Sequence, residues 1–250
     1  MTSSQTTSKK SAPKRFNASL PFSHKTPYDS LFSERIPLLQ AMHLAVANCL
    51  RERDKYSLDQ THNKLEHLQM FRAAECGVYT GSSLLACVQI IREYGLSYCF
   101  HGLDTFSGLP QLSSIDKKLS PENAKYRNQA MFDDTSLKLV EEKLLEIGER
   151  ENVILHQGLF SQTLPTLPEQ TYHFVNIDCD LYEPHLECLE YFYPRMVDGG
   201  VIFFDDYYSK DYPMAGKAID AFMKDKPEVL FHLRYGKDET NRTKTFIIKY

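Results

Sequence analysis

Apolar positions change period several times along the chain. Between residues 31 and 56 they recur at helical spacing, with Leu39, Met42, Leu44 and Val46 near one another, and they predict one long helix. A polar stretch, 57–68, follows. From there short apolar runs alternate with helical segments. QMFRAAE (69–75), SYCFHGL (97–103), NVILH (152–156), YHFVNID (172–178) and GVIFFD (200–205) read as strands. Helices are predicted over 82–94, stopped by Gly95, and over 136–148, capped by Asp134 or Thr135. Two more are predicted over 184–196 and 215–225. The chain closes with strands at 229–235 and 243–250 about a polar turn, and 105–134 reads as an irregular loop.

Strands alternating with helices predict an α/β fold: a mostly parallel, seven-stranded sheet with helices on both faces. The last two strands have no helix between them, so they predict an antiparallel hairpin at one edge. Ligands of open α/β sheets sit beyond the carboxyl ends of the strands. Those ends carry Glu75, Asp104, Gln157, Asp178 and Asp205, mostly carboxylates where a core would ask for apolar residues.

Charge divides the chain unevenly. Residues 1–28 hold Lys9, Lys10, Lys14, Arg15 and Lys25 and no acid, while the whole chain has a net charge of -4. Residues 1–27 therefore read as a disordered basic tail. A transit peptide would share the basic, Ser-rich character, but no amphipathic stripe supports it. Residues 28–250 read as one domain, with 28–68 as a helical acceptor or lid region. The acidic balance gives no general pull toward nucleic acid, and no apolar run reaches the roughly 18 residues of a membrane span. The six cysteines form no C-x-x-C pair and mostly lie in apolar runs, which fits a reduced cytoplasmic protein.

The first strand runs into Glu75-Cys76-Gly77-Val78-Tyr79-Thr80-Gly81-Ser82-Ser83. Gly77 lets backbone approach a ligand closely, and Gly81 opens a helix whose N–H groups are free. Tyr79 and Thr80 stand where a pyrophosphate-binding loop needs a small residue, so this is not a dinucleotide fingerprint. An acid before the glycines suits an ammonium-bearing ligand. Asp104 can accept bonds from both hydroxyls of a ribose, or it can cap the turn that follows.

Asp178-Cys179-Asp180 closes the fourth strand and Asp205-Asp206 the fifth. Parallel neighbours would bring Asp178, Asp205 and Asp206 together, and such carboxylates repel unless a cation lies between them. Oxygen-only ligands point to Mg²⁺ or a similar hard divalent ion. Asp-x-Asp also serves metal-dependent glycosyltransferases, although that reading leaves the Glu75–Ser83 loop unexplained. Simple solvation of acids at strand ends is the other alternative.

Across residues 70–225 the motifs ECGVYTGSS, LDTFSGLP, GLFSQTLP, NIDCDLYEPHLECLEYFYPRMVDGGVIFFDDY and PMAGKAIDAF resemble the macrocin O-methyltransferase (TylF) family. That family methylates hydroxyls on deoxysugars of natural products. The resemblance implies a Rossmann-like class I methyltransferase fold that uses S-adenosylmethionine and a divalent metal on a small-molecule hydroxyl acceptor, commonly as a homodimer or larger oligomer. It implies Asp178, Asp205 and Asp206 as metal ligands and Asp180, with Asp178, as catalytic. It implies Glu75, Gly77, Tyr79 and Ser83 as the cofactor loop, with Asp178 beside it, and Asp104 as the ribose acid. Ser136, Gln157 and Gly158 would contact adenine. Asp180 could instead be a fourth metal ligand, and a non-catalytic cofactor-binding relative is a further alternative. Tyr182, Tyr207, Tyr208 and Tyr212 are candidate acceptor-pocket residues. His101, His156 and His173 fit core positions, and His185 fits either the site or the surface.

Overall fold

The computed structural model describes residues 29–58, 70–235 and 242–250. The basic tail expected over 1–27 lies outside them. A long helix, α1 (Asp29–Leu58), precedes the alternating elements: β1 (Phe71–Cys76), α2 (Ser82–Glu93), β2 (Tyr98–Asp104), α3 (Ser114–Leu119), α4 (Leu137–Glu146), β3 (Val153–Gln157), α5 (Phe160–Thr163), β4 (Tyr172–Ile177), α6 (Tyr182–Phe192), β5 (Met196–Phe204), α7 (Pro213–Met223), β6 (Phe231–Tyr235) and β7 (Arg242–Ile248). The seven strands lie in the order β3-β2-β1-β4-β5-β7-β6. Among the described residues only the β5–β7 and β6–β7 pairings are antiparallel, so the predicted parallel sheet with an edge hairpin is what forms.

Alternation along each strand sends side chains into two separate cores. Phe71, Ala73, Phe100, Phe174, Val201 and Phe203 pack under α1, α2 and α4. Ala74, Cys76, Val175, Ile177, Ile202 and Phe204 pack under α6 and α7. Helix α2 forms because Leu84, Cys87, Val88 and Ile91 fall on one buried face. It stops at Gly95, whose φ of 64° is the left-handed value a helix terminus asks for. In α1, Leu38, Ala41, Met42, Ala45, Val46 and Cys49 are all buried in the first core. This described part of the 28–68 region thus adds a layer to the core.

Three boundaries differ from expectation for identifiable reasons. Ser136, not Asp134 or Thr135, caps α4, its hydroxyl accepting the Leu139 N–H at 3.1 Å. Helix α6 stops at Phe192 because Pro194 lies in a 3₁₀ turn, Tyr193–Arg195. Strand β5 then begins at Met196, four residues early, and carries a bulge. Tyr172 pairs with Met196 and Phe174 with Val201, so extra residues including Gly199 (φ 77°) and Gly200 loop out of register. In the expected loop 105–134, α3 forms behind a capping box made by Ser113 and Asp116.

The sheet reverses its order between β1 and β4, and there the chain is at its tightest. The ladder continues past the strand ends: the Asp178 N–H donates to the Cys76 carbonyl at 2.8 Å, and the Gly77 N–H to that of Leu103 at 2.9 Å. A Cβ on Gly77 would lie 1.7 Å from the Asp178 carbonyl oxygen, and φ there is +93°. Gly95 is equally left-handed but a Cβ on it meets nothing within 4 Å. Gly95→Ala is therefore expected to cost about 1 kcal/mol, the left-handed penalty alone. Gly77→Ala should cost at least about 3 kcal/mol through the added backbone collision. Urea unfolding of both variants checks this, and equal losses would refute the strand-crossing explanation.

Candidate active site

A cleft of about 540 Å³ opens at the carboxyl ends of β1, β2, β4 and β5. The 105–134 segment roofs it. That segment is anchored by Tyr126, which stacks on Tyr212 at 4.6 Å and donates its hydroxyl to the Asp211 carbonyl at 2.6 Å. Asp116 supplies a second anchor. Its carboxylate accepts the Ser113 N–H and hydroxyl, and reaches across to accept the Tyr182 N–H at 2.8 Å, at the start of α6. Sequence reasoning missed Asp116, although Ser113-x-x-Asp116 is itself a legible capping pattern.

On the floor, one carboxylate oxygen from each of Asp178, Asp205 and Asp206 lies within 4.8 Å of the others. Sheet register is the cause: Ile177 pairs with Phe204, so the next residues on both strands emerge side by side. Asp180 is also buried at the cleft, in a left-handed turn (φ 59°), its N–H pointing to Asp206 Oδ2 at 3.3 Å. Burial raises Asp178 and Asp180 well above the ordinary carboxylate range, and the neighbouring carboxylates raise them further. The same causes push Asp206 up to about 7. The cluster has a protein cation beside it that the sequence did not disclose. Lys244 of β7 pairs with Asp205 Oδ2 and donates to the Asp205 carbonyl at 2.8 Å. Burial would lower its pKa, but the acids outweigh burial and raise it.

The donor set suits a hard divalent ion. It is all oxygen, and its spread is about twice the 2.0–2.6 Å bond length of Mg²⁺ or Ca²⁺. Asp205 retains one oxygen free of Lys244 for such an ion.

The remaining candidates divide into those at the cleft and those behind it. Gly77, Tyr79, Asp104 and Gly158 line it; Glu75, Ser83, Ser136 and Gln157 do not. Glu75 lies within β1, fully buried, one oxygen accepting the Asn176 amide at 2.7 Å and the other carboxylate oxygen without a partner. Ser83 hydrogen-bonds to it from the first turn of α2. Ser136 is spent on capping α4, and Gln157 donates to the Thr105 carbonyl at 3.3 Å. These four therefore stand behind the lining: Glu75 and Ser83 between β1, β4 and α2, Ser136 at the start of α4, and Gln157 against the Thr105 carbonyl that lines the cleft.

Asp104 lines the cleft and also organises backbone. It accepts the N–H groups of Val78 (2.7 Å), Tyr79 (2.8 Å) and Phe106 (2.6 Å), and the Thr105 hydroxyl lies 3.3 Å from its Oδ1. The protein itself thus takes up most of this carboxylate's acceptor capacity. Of the tyrosines, Tyr212 lines the cleft, whereas Tyr207 donates to Asp220 at 2.6 Å and Tyr208 is exposed. His185 is fully buried beneath the Asp178–Asp180 turn, in contact with the Leu181 carbonyl and Cys179 Sγ.

A sheet of this order, with an acid-floored cleft at its switch point, defines the class I methyltransferase architecture. The family model for Macrocin-O-methyltransferase (TylF) matches residues 70–228, and the chain belongs to that family. Mycinamicin III 3''-O-methyltransferase of Micromonospora griseorubida is 28% identical over 136 residues, 53% of this chain and 54% of the relative. An 8-demethyl-8-(2,3-dimethoxy-alpha-L-rhamnosyl)-tetracenomycin-C 4'-O-methyltransferase of Streptomyces olivaceus is 27% identical over 135 residues, 53% of this chain and 51% of its own. The chain thus spans about half the length of the curated relatives it matches. Among solved structures, the O-methyltransferase NovP superposes with a TM-score of 0.60 at 24% identity over 72% of each chain. CalS11, described as a TDP-rhamnose 3'-O-methyltransferase, does so with a TM-score of 0.50 at 16% identity, over 88% of this chain and 82% of its own.

Glu75 yields a test of the support beneath the cleft. Burial is the main cause that pushes it up to about 7, with Ser83, Asn176 and Arg35 pulling it back. The folded protein then holds this proton more tightly than the unfolded chain, whose value is 4.5. Its contribution to stability is intact below pH 4.5 and declines as pH rises through about 7. Glu75→Gln should remove that decline, gaining roughly 3 kcal/mol on wild type between about pH 5 and pH 8. Denaturant unfolding across that range reads the difference, and parallel curves would refute it.

Proposed function

We propose that the protein is an S-adenosylmethionine-dependent O-methyltransferase acting on a hydroxyl of a small glycoside or polyol, with a divalent cation held by Asp178, Asp205 and Asp206. The observation that carries this reading is the convergence of those three carboxylates on the floor of a cleft walled by the Gly77–Tyr79 loop. Family membership and the names of the curated relatives support the reaction class.

Bound S-adenosylmethionine would supply an activated methyl group, and a cation at the three acids would lower the pKa of a coordinated hydroxyl. The protein's own residues do the rest. Gly77, Tyr79 and Gly158 shape the cofactor wall, and Asp104 beside them is the acid that would face the ribose. Glu75, Ser83, Ser136 and Gln157 hold the loops in place. The acidic lining favours a ligand of net positive charge, which a sulfonium with an amino-acid tail is. Asp180 takes the acceptor proton: it stands beside the three floor acids, and burial raises its pKa and with it its basicity. Lys244 fixes Asp205 so that the acids are oriented before a ligand arrives. Free thiols at all six cysteines support a reducing, cytoplasmic setting, and the family likeness supports a homodimer or larger assembly.

Calorimetry should show S-adenosylmethionine binding, and methyl transfer to a vicinal-diol glycoside should fall at least about tenfold in EDTA and return with Mg²⁺. Full activity in EDTA would remove the metal from the mechanism. Asp180→Asn should keep cofactor affinity and lower kcat by roughly 10²–10⁴-fold. Unchanged turnover in that variant would exclude it as the base.

A further inference from the structure

We infer that Lys244 determines how tightly the floor acids hold a cation and which cation they prefer. It confines Asp205 to a single ligating oxygen and offsets part of the cluster's negative charge, so that a small octahedral ion such as Mg²⁺ or Mn²⁺ is favoured over Ca²⁺. That role rests on the cation-dependent reading above and adds the residue that tunes it.

Register places the lysine. Thr245 of β7 pairs with Phe204, the last residue of β5. One step further along these antiparallel strands, Lys244 stands opposite Asp205. Its ammonium makes two contacts with that one residue, to the backbone carbonyl at 2.8 Å and to the carboxylate at Oδ2. Held at both points, the Asp205 carboxylate has little freedom to turn. The Lys244 side chain is only 18% exposed and that of Asp205 30%, so water screens this pair less than it screens an ion pair at the surface.

The pairing limits what the acids can offer. Asp205 Oδ2 is taken by Lys244, and Asp206 Oδ2 faces the Asp180 N–H at 3.3 Å. Each of these acids therefore presents one oxygen where an unheld carboxylate would present two. Ca²⁺ is larger, takes more oxygens and commonly binds carboxylates through both of theirs. Mg²⁺ accepts single carboxylate oxygens, demands octahedral geometry and keeps several waters. Charge acts on affinity as well. Asp178, Asp180, Asp205 and Asp206 meet at this floor, and among the described residues Lys244 is the cation paired with them. A fixed ammonium so close opposes the entry of any divalent ion. A lysine that only oriented Asp205 would leave the opposite trace, because losing such a support loosens a metal site.

Mn²⁺ binding, followed by the electron paramagnetic resonance of the free ion, reads this without turnover, with Mg²⁺ and Ca²⁺ added as competitors. Mg²⁺ should displace Mn²⁺ from the wild-type protein at lower concentration than Ca²⁺ does. Lys244→Met should bind Mn²⁺ at least about tenfold more tightly and let Ca²⁺ gain on Mg²⁺ as the competitor. Lys244→Arg, which keeps the charge and a donor, should stay near wild type in both respects. Unchanged or weaker Mn²⁺ binding in Lys244→Met would overturn the inference. Displacement from wild type by Ca²⁺ ahead of Mg²⁺ would overturn it too, whether or not the variants fold. Mn²⁺ binding to none of the three proteins would remove the inference and the cation site together. Methyl transfer by a protein indifferent to the choice of cation would count against Lys244 alone. The expected preference, with no transfer to a vicinal-diol glycoside under any cation, would count against the methyltransferase reading and leave the role of Lys244 standing.

Discussion

Like charge gathered at two adjacent strand ends is the constraint on which the rest of this structure depends. Parallel pairing of β4 with β5 forces Asp178 and Asp205 to emerge together, and Asp206 and Asp180 follow within the same turn region. Carboxylates so close cannot all be ionised and buried without compensation. The fold answers locally. Lys244 reaches in from β7, the Asp180 N–H turns toward Asp206, and the pKa of Asp178 rises under burial and its neighbours' charge. The backbone is strained to permit it: Tyr79, Phe132 and Asp180, all lining the cleft, have left-handed φ values of 50°, 59° and 59°. Each such residue costs of order 1–3 kcal/mol, and their gathering around one cavity is the pattern of a working site.

Buried acids do two different jobs here, and their hydrogen-bond partners tell them apart. The floor acids present oxygens to whatever enters. Glu75 and Asp116, and in large part Asp104, present theirs to the protein itself, where N–H donors and amides fix the loops after β1 and β2 and the start of α6. A carboxylate accepting several N–H bonds is a strong backbone organiser. The site is therefore framed by negative charge as well as floored by it.

Much of the fold was legible because the apolar periods were clean. Strand runs such as NVILH and YHFVNID and the closing hairpin needed only alternation and length to be read. Boundaries slipped where local chemistry overrode the pattern, as at Gly199-Gly200, whose bulge let β5 begin early. The floor acids were legible because carboxylates at strand ends contradict a hydrophobic core. Asp104 and Glu75 were harder: the same residue type at the same register can face a ligand or a row of amides, and only three-dimensional donors decide. Lys244 was illegible because it lies far along the chain, in a strand whose antiparallel return alone brings it to Asp205. The core contacts of α1 were not legible because a helix ahead of the first strand carries no mark of which side of the sheet it will cover.

The roof of the cleft and its floor are fixed by different parts of the chain. Residues 105–134 leave the sheet after β2 and return at α4, fastened at several points: Phe106 in the core, Asp116 to α6, Tyr126 and Phe132 on Tyr212, and Asp134 to the Tyr79 hydroxyl. The floor acids depend on none of these, because strand register alone brings Asp178 and Asp205 together. A change in the roof that keeps its anchors therefore reshapes the upper wall of the cleft and leaves the carboxylates where they are.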